Sequence, residues 1–331
     1  MKQIEKYNNV DFLGLEKKGN PVLWYTDHIV IDRKIIPIWD NADLGNMDGF
    51  VYGKIGGKEL VFQNGEFIEC PQTRYKDRIY GRLYDSQEYD GENYRLSYKY
   101  KGEELLFETK TDENFLLTSI FSNKSEDVMM FTSDCEKKYL FYSKTGDFLW
   151  QYTEEADDLK INWRCIPVVD DVVVIISQDC VVAKKIQGFN ICTGEKLWEI
   201  TNAEEIVCPN TFFVSEDQHL YGCCTECAYY DEESKLIMTK LNPKNGDTES
   251  VEVGMGYSVM PYDVTMHGRQ LYYTDNRRGN EIGVIDVDKR ELIERVPLNI
   301  KKKVTIGAPV VTDDKVYVFI RDLKELRVFE K

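Results

Sequence analysis

The chain has 331 residues with 42 basic and 58 acidic side chains, a formal charge of −16. Such a balance repels nucleic-acid phosphates and anionic membrane surfaces, so it excludes nucleic acid and membrane as expected partners and favours a basic protein. Nine cysteines with no framework-like spacing, in a chain long enough to bury a core, fit reduced thiols in a cytoplasmic protein better than a disulfide scaffold.

From the amino terminus, MKQIEKYNNVDFLGLEKKGN lacks the apolar run of a secretory signal. The rest of the chain is a succession of short runs rich in Val, Ile, Tyr and Phe, broken by Gly, Asn and Asp. The clearest are DVVVIIS (171–177), QLYYT (270–274) and KVYVFI (315–320). The longest aliphatic block, Val172 to Ile176, is far too short to span a bilayer. Apolar residues do not recur at helical spacing over a dozen positions, so the fold class expected is all-β. Between the runs stand dipeptides that can take the positive φ of a tight hairpin. In chain order they are QNGEF at Gly65, YKGEEL at Gly102, KTGDFLW at Gly146, CTGEKLW at Gly194 and KNGDTES at Gly246. DKREL, around Lys289, holds the same place without glycine. Their spacing of roughly 40 to 50 residues is that of four-stranded propeller blades. This register predicts a single domain, a β-propeller of about seven blades, covering roughly 21–69, 75–109, 115–152, 164–200, 211–253, 262–298 and 308–331, with six or eight blades left open because the first fifty residues repeat poorly. The last segment shows three strands, so a fourth is expected from the first twenty residues; pairing of the terminal strands closes the ring and leaves no edge that calls for a second copy, which predicts a monomer.

The pattern Gly188-x-Asn190-x-x-Thr193-Gly194-x-x-x-Trp198, with its shorter echo Thr145-Gly146-x-x-x-Trp150, resembles the tryptophan-docking repeat of quinoprotein-type propellers, the pyrroloquinoline-quinone repeat family. The resemblance implies that Trp150 and Trp198 are held between neighbouring blades. An indole suits that place, because it covers a broad apolar surface while its one N–H still reaches an acceptor. The resemblance extends to quinone-dependent dehydrogenases, but those are typically longer, exported and calcium-bearing. Here no calcium loop is legible, since DSQEYDGE from Asp85 has its acidic residues at the wrong offsets. The adjacent pair Cys223-Cys224 matches a pair known in those enzymes, and Cys227 stands three residues further on, at a metal-compatible spacing. The three thiols are nevertheless expected to be buried, because YGCCT falls on a strand.

Other constellations are missing. His28, His219 and His267 form no zinc motif and each sits beside a turn. There is no G-x-S-x-G elbow and no phosphate loop; GMGYSV (254–259) lacks a third glycine. No catalytic residue, metal site or cofactor is therefore expected. Partner-binding residues are expected on two acidic loops and the aromatic residues near them: Glu154, Glu155, Asp157 and Asp158; Asp231, Glu232 and Glu233; and Trp163, Tyr229, Tyr230 and Tyr257. The function expected is that of a non-catalytic protein-binding propeller, in its narrowest form an inhibitor or immunity-like protein covering a basic partner. The alternatives are a scaffold or sensor resembling the envelope-assembly propellers of the same repeat family, and a cofactor-binding enzyme using the central channel.

Overall fold

The computed structural model describes the chain apart from residues 17–18, 32–33, 38–42, 48–49, 56–57, 64–65, 70–82, 90–93, 101–103, 112–114, 123–126, 134–136, 144, 163–164, 180–182, 204–208, 227–233, 276–279 and 302–303. Apart from two single 3-10 turns, Pro261–Asp263 and Arg321–Leu323, every regular element among the described residues is a strand. The strands pair into eight separate sheets, numbered here along the chain. Sheets 1 and 2 comprise Asp11–Leu15, Pro21–Trp24, His28–Ile31 and Lys34–Pro37, then Asp43–Met47, Phe50–Ile55, Lys58–Gln63 and Glu66–Glu69. Sheet 3 holds Leu83–Tyr89, Tyr94–Tyr100 and Glu104–Thr111. Sheet 4 is Phe115–Ser122, Asp127–Ser133, Lys138–Ser143 and Phe148–Thr153, and the main strands of sheet 5 are Val172–Gln178, Ala183–Asn190 and Lys196–Ile200. Sheet 6 is Phe213–Val214, Leu220–Thr225, Lys235–Leu241 and Thr248–Met255, and sheet 7 is Val264–His267, Gln270–Asp275, Glu281–Asp286 and Glu291–Pro297. Sheet 8 sets Lys2–Asn8 antiparallel to Glu325–Glu330, with Lys2 opposite Glu330 and Asn8 opposite Glu325, and Lys315–Ile320 on the other side.

The first expected blade, 21–69, is thus corrected: it contains sheet 2 and most of sheet 1, which brings the sheets among the described residues to eight, within the range of six to eight blades left open by the sequence. The reason lies in the turn chemistry. In sheet 1 Ile31 pairs with Lys34, and the sequence there, Ile31-Asp32-Arg33-Lys34, carries no glycine to mark a hairpin. Its strands Pro21–Trp24, His28–Ile31 and Lys34–Pro37 are only four residues long, which leaves little alternation to read.

The chain divides into two compact units, one of residues 1–88, 96–109 and 312–331, the other of 89–95 and 110–311. In the first, Val22, Ile29, Ile31 and Val51 form a buried cluster, packed by Trp24, Leu60, Phe62 and Phe67. Phe12 of sheet 1 lies flat against Tyr317 of sheet 8, ring centroids 6.3 Å apart. In the second unit each pair of successive sheets encloses its own core. Val128, Phe141, Val173 and Phe189 belong to the core of sheets 4 and 5. Val174, Ile176, Phe212 and Leu220 serve sheets 5 and 6, and Tyr221, Met238, Leu271 and Ile285 serve sheets 6 and 7. Strands whose residues are buried on both faces, such as Val172–Gln178, therefore read as continuous aliphatic runs.

Candidate functional site

The site is built on the second unit, where the outer hairpins repeat one design. A side-chain oxygen at the end of the third strand accepts hydrogen bonds from the turn's backbone. Asn190 Oδ1 takes the N–H groups of Cys192 and Thr193 at 3.0 Å each. Asn242 Oδ1 takes that of Lys244, and Asp286 Oδ1 those of Asp288 and Lys289, all at 3.0 Å. Four residues after each cap the chain turns left-handed, at Gly194 (φ 71°), Gly246 (φ 78°) and Arg290 (φ 60°). Onto two of these turns the preceding sheet lays a tryptophan. Trp150 donates its indole N–H to the Ile191 carbonyl at 2.8 Å, and Trp198 donates to Pro243 at 2.7 Å. A β-carbon added at Gly194 would come within 2.6 Å of the Trp150 ring, and one at Gly246 within 2.7 Å of Trp198. Glycine is thus required there twice over, for the backbone angle and for the space. Trp198 lies on Gly188 of its own sheet, whereas Trp150 stacks on Phe141 at 3.9 Å, which shows why the first motif has no glycine at that place.

The strand that carries Trp150 runs directly into the acidic loop. Trp150, Tyr152 and Glu154 alternate along the chain and all three are buried. The Glu154 carboxylate accepts from Tyr152 Oη at 2.9 Å, Ser177 Oγ at 2.5 Å, Lys185 Nζ at 2.8 Å and the Ala156 N–H at 3.1 Å. Burial by itself would push this carboxyl up. The bonds from Lys185, Ser177, Ala156 and Tyr152 outweigh that penalty and hold it below the usual carboxylate range. Burial, countered only in part by Ser177 and reinforced by the Glu154 charge, pushes the Tyr152 phenol up. Gln187 Oε1 lies 2.7 Å from the same Tyr152 Oη, whose single proton is shared between it and Glu154, and Gln187 Nε2 donates to Glu199 Oε2 at 2.8 Å. Glu154 is therefore a structural anchor and not a solvated rim charge, a correction to the expectation. The sequence did contain the signal, since continuing the inward alternation past Trp150 and Tyr152 turns Glu154 inward too.

Beyond that anchor, Glu155, Asp157 and Asp158 are exposed, as expected. From behind, the Lys137 ammonium donates to the carbonyls of Ala156, Asp157 and Leu159. Nothing in the sequence foretold this clasp, because Lys137 lies some twenty residues upstream in chain order. The loop is thereby tied at both of its halves, and its three exposed carboxylates are held on a fixed backbone.

Tyr257 is corrected as well: it is 4 % exposed, meets Tyr273 edge-on at 5.9 Å and lies beneath the Arg295 guanidinium at 5.0 Å. It packs sheet 6 to sheet 7 and offers no anchor to a partner. Trp163, Tyr229, Tyr230, Asp231, Glu232, Glu233 and Cys227 lie outside the described residues. Cys223 and Cys224 are buried on Leu220–Thr225, all of whose residues are buried; burial and the neighbouring Cys224 push the Cys223 thiol well up. His28 stacks on Tyr25 at 4.6 Å and meets Asp27, and His219 bonds the Asp217 carbonyl at 2.9 Å, both within local turns. No group of three or more His, Cys, Asp or Glu among the described residues is arranged to hold a metal ion, and no described helix is long and apolar enough to cross a membrane.

No family model matches the chain, and no curated protein matches it. Solved structures do. BamB from Moraxella catarrhalis superposes with a TM-score of 0.53 at 9 % identity, covering 99 % of either chain. The dihydro-heme d1 dehydrogenase NirN gives 0.53 at 12 % identity, over 97 % of this chain and 73 % of that one. A catalytically inactive virginiamycin B lyase from Staphylococcus aureus gives 0.50 at 11 %, over 99 % and 98 %. At such identities the likeness is one of fold, and that fold is the β-propeller.

Proposed function

We propose that this chain is a non-catalytic protein-binding propeller that meets a basic partner through the loop of Glu155, Asp157 and Asp158. The observation that carries this reading is the doubly tied loop: buried Glu154 pins its start and Lys137 clasps the carbonyls of its middle, so three exposed carboxylates are presented with little ordering left to pay on binding. A net charge of −16 adds long-range attraction for a cationic surface and speeds encounter with it. In its narrowest form the role is that of an inhibitor or immunity-like protein in the cytoplasm. The ring closure expected from the terminal strands, the monomeric state and the quinoprotein-type ancestry belong to the same reading.

The test is affinity capture of the tagged chain from its own cell lysate, run beside a triple variant, Glu155→Lys, Asp157→Lys and Asp158→Lys. A basic protein retained by the native chain at low salt, released at high salt and absent with the variant is the expected result. Retention of the same protein by both chains would move the interface elsewhere. Retention of no protein by either chain would overturn the reading.

A further inference from the structure

Three successive sheet junctions of the second unit can be compared residue by residue, and the third breaks the pattern. Trp198 stands opposite Gly188, two residues before the cap Asn190, and Trp150 stands likewise opposite Phe141, in both cases next to a β-bulge. Sheet 6 has no bulge at that point, so Glu249 stands opposite Lys240, two residues before the cap Asn242. Ser250, four residues after the turn glycine, pairs instead with Thr239, its hydroxyl 3.1 Å from Thr239 Oγ1. Where Gly194 and Gly246 receive an indole, sheet 7 has Arg290, left-handed like them. Where Ile191 and Pro243 accept the indole N–H, sheet 7 has Val287, next after the capping Asp286. The place of the missing indole is a small cleft lined by Tyr221, Met238, Lys240, Glu249, Val251, Val287 and Arg290.

Charge spans this cleft instead. Arg290 pairs with Glu249 across the junction, both about half exposed. Deeper in, Arg269 of sheet 7 reaches sheet 6 three ways: to Ser215 Oγ at 2.6 Å, to Asp217 Oδ1 at 3.1 Å and to Tyr221 Oη at 3.3 Å. Its guanidinium also lies 5.1 Å from the centre of the Tyr221 ring, and Asp288 holds its far side. At the junction of sheets 5 and 6 there is an ion pair too, Lys244 with Asp170 at 3.1 Å, but it stands beside Trp198.

We infer that the outer corner between sheets 6 and 7 is an electrostatic latch, sensitive to ionic strength, where the equivalent corners between sheets 4 and 5 and sheets 5 and 6 rest on a docked indole and respond far less to it. The physical basis is the contrast in screening. Exposed ion pairs weaken as salt shortens the Debye length from about 10 Å at 0.1 M to about 3 Å at 1 M. Indole burial does not, and strongly salting-out ions reinforce it. The consequence is a corner that loosens locally while the apolar core beneath it, including Leu271 and Ile285, stays closed.

Hydrogen exchange with mass spectrometry on the full chain, in 0.05 M and 1 M sodium chloride, tests this. Amides of 248–255 and 286–292 are expected to lose protection by about three- to tenfold at high salt, while those of 148–153 and 196–200 change little. Glu249→Gln, at an exposed position that leaves the fold intact, is expected to lower protection of the same two segments at low salt and to abolish most of the response to salt. Exchanging the charges, with Glu249→Arg and Arg290→Glu together, is expected to restore both. Equal salt responses at all three corners, or an unchanged response in Glu249→Gln, would overturn the inference.

Discussion

Replacing Trp150 by alanine is the sharpest test of how the repeats hold together. The side chain is 8 % exposed, lies flat on Phe141 at 3.9 Å, approaches Phe189 at 5.5 Å and donates to the Ile191 carbonyl at 2.8 Å. Removing about 200 Å² of buried aromatic surface at about 25 cal/mol per Å² costs about 5 kcal/mol, within the range of measured Trp→Ala changes. The orphaned Ile191 carbonyl adds about 1 kcal/mol, less whatever water recovers. Trp150→Phe keeps the stack on Phe141 but loses the donor and part of the ring, and should cost about 2 kcal/mol. Urea unfolding, followed by far-ultraviolet circular dichroism so that loss of the fluorophore does not matter, reads both. With a slope of about 3 kcal/mol per molar for a chain of this size, the midpoint should fall by about 1.5 to 2 M for alanine and by less than half of that for phenylalanine. A shift below about 0.3 M for alanine, or equal shifts for the two variants, would refute the claim that the indole joins sheet 4 to the Gly194 turn.

Related changes test the same geometry from other sides. Gly194→Ala places a β-carbon 2.6 Å from the Trp150 ring at a φ of 71°, so it should destabilise by at least about 2 kcal/mol, whereas Gly268→Ala, where no atom lies within 4 Å, should incur the left-handed cost of about 1 kcal/mol alone; equal midpoints would dissociate the glycine from the indole. Glu154, held below its usual range, contributes stability that is present above its unfolded value of about 4.3 and is lost as the pH falls through its lower folded value. Glu154→Gln should therefore be markedly less stable than the native chain at pH 7 and approach it in acid, and a gap that does not narrow between pH 5 and pH 3 would count against the network. Burial pushes the Cys165 thiol up to about 11 despite the Phe212 N–H, and burial, with the neighbouring Cys224, likewise raises the Cys223 thiol well above its ordinary range. Peptide mapping after a brief thiol-reagent pulse should find Cys165 and Cys223 unmodified in the native protein and modified in urea; rapid native labelling of Cys223 would show that Leu220–Thr225 opens.

The class of fold and the repeat unit were legible in the sequence because both follow from local chemistry. Alternation, β-branched runs and glycine-bearing turns act over a few residues, and Asn190, Gly194 and Trp198 announce cap, turn and indole at fixed offsets. Legibility failed at sheet 1, whose short strands and glycine-free turn carry no such local mark. It failed too at Glu154 and Tyr257, which composition placed on a solvated rim and packing placed inside. The order of strands within a repeat, the left-handed turns and the need for an indole are thus properties of the chain in its own neighbourhood. Only the tertiary structure decided that Lys137 clasps the carbonyls of an acidic loop, that Glu154 anchors it, and that arginines stand at the third junction where tryptophans stand at the first two. Those outcomes depend on groups twenty to fifty residues apart meeting across neighbouring sheets, and no periodicity within a single strand encodes such a meeting.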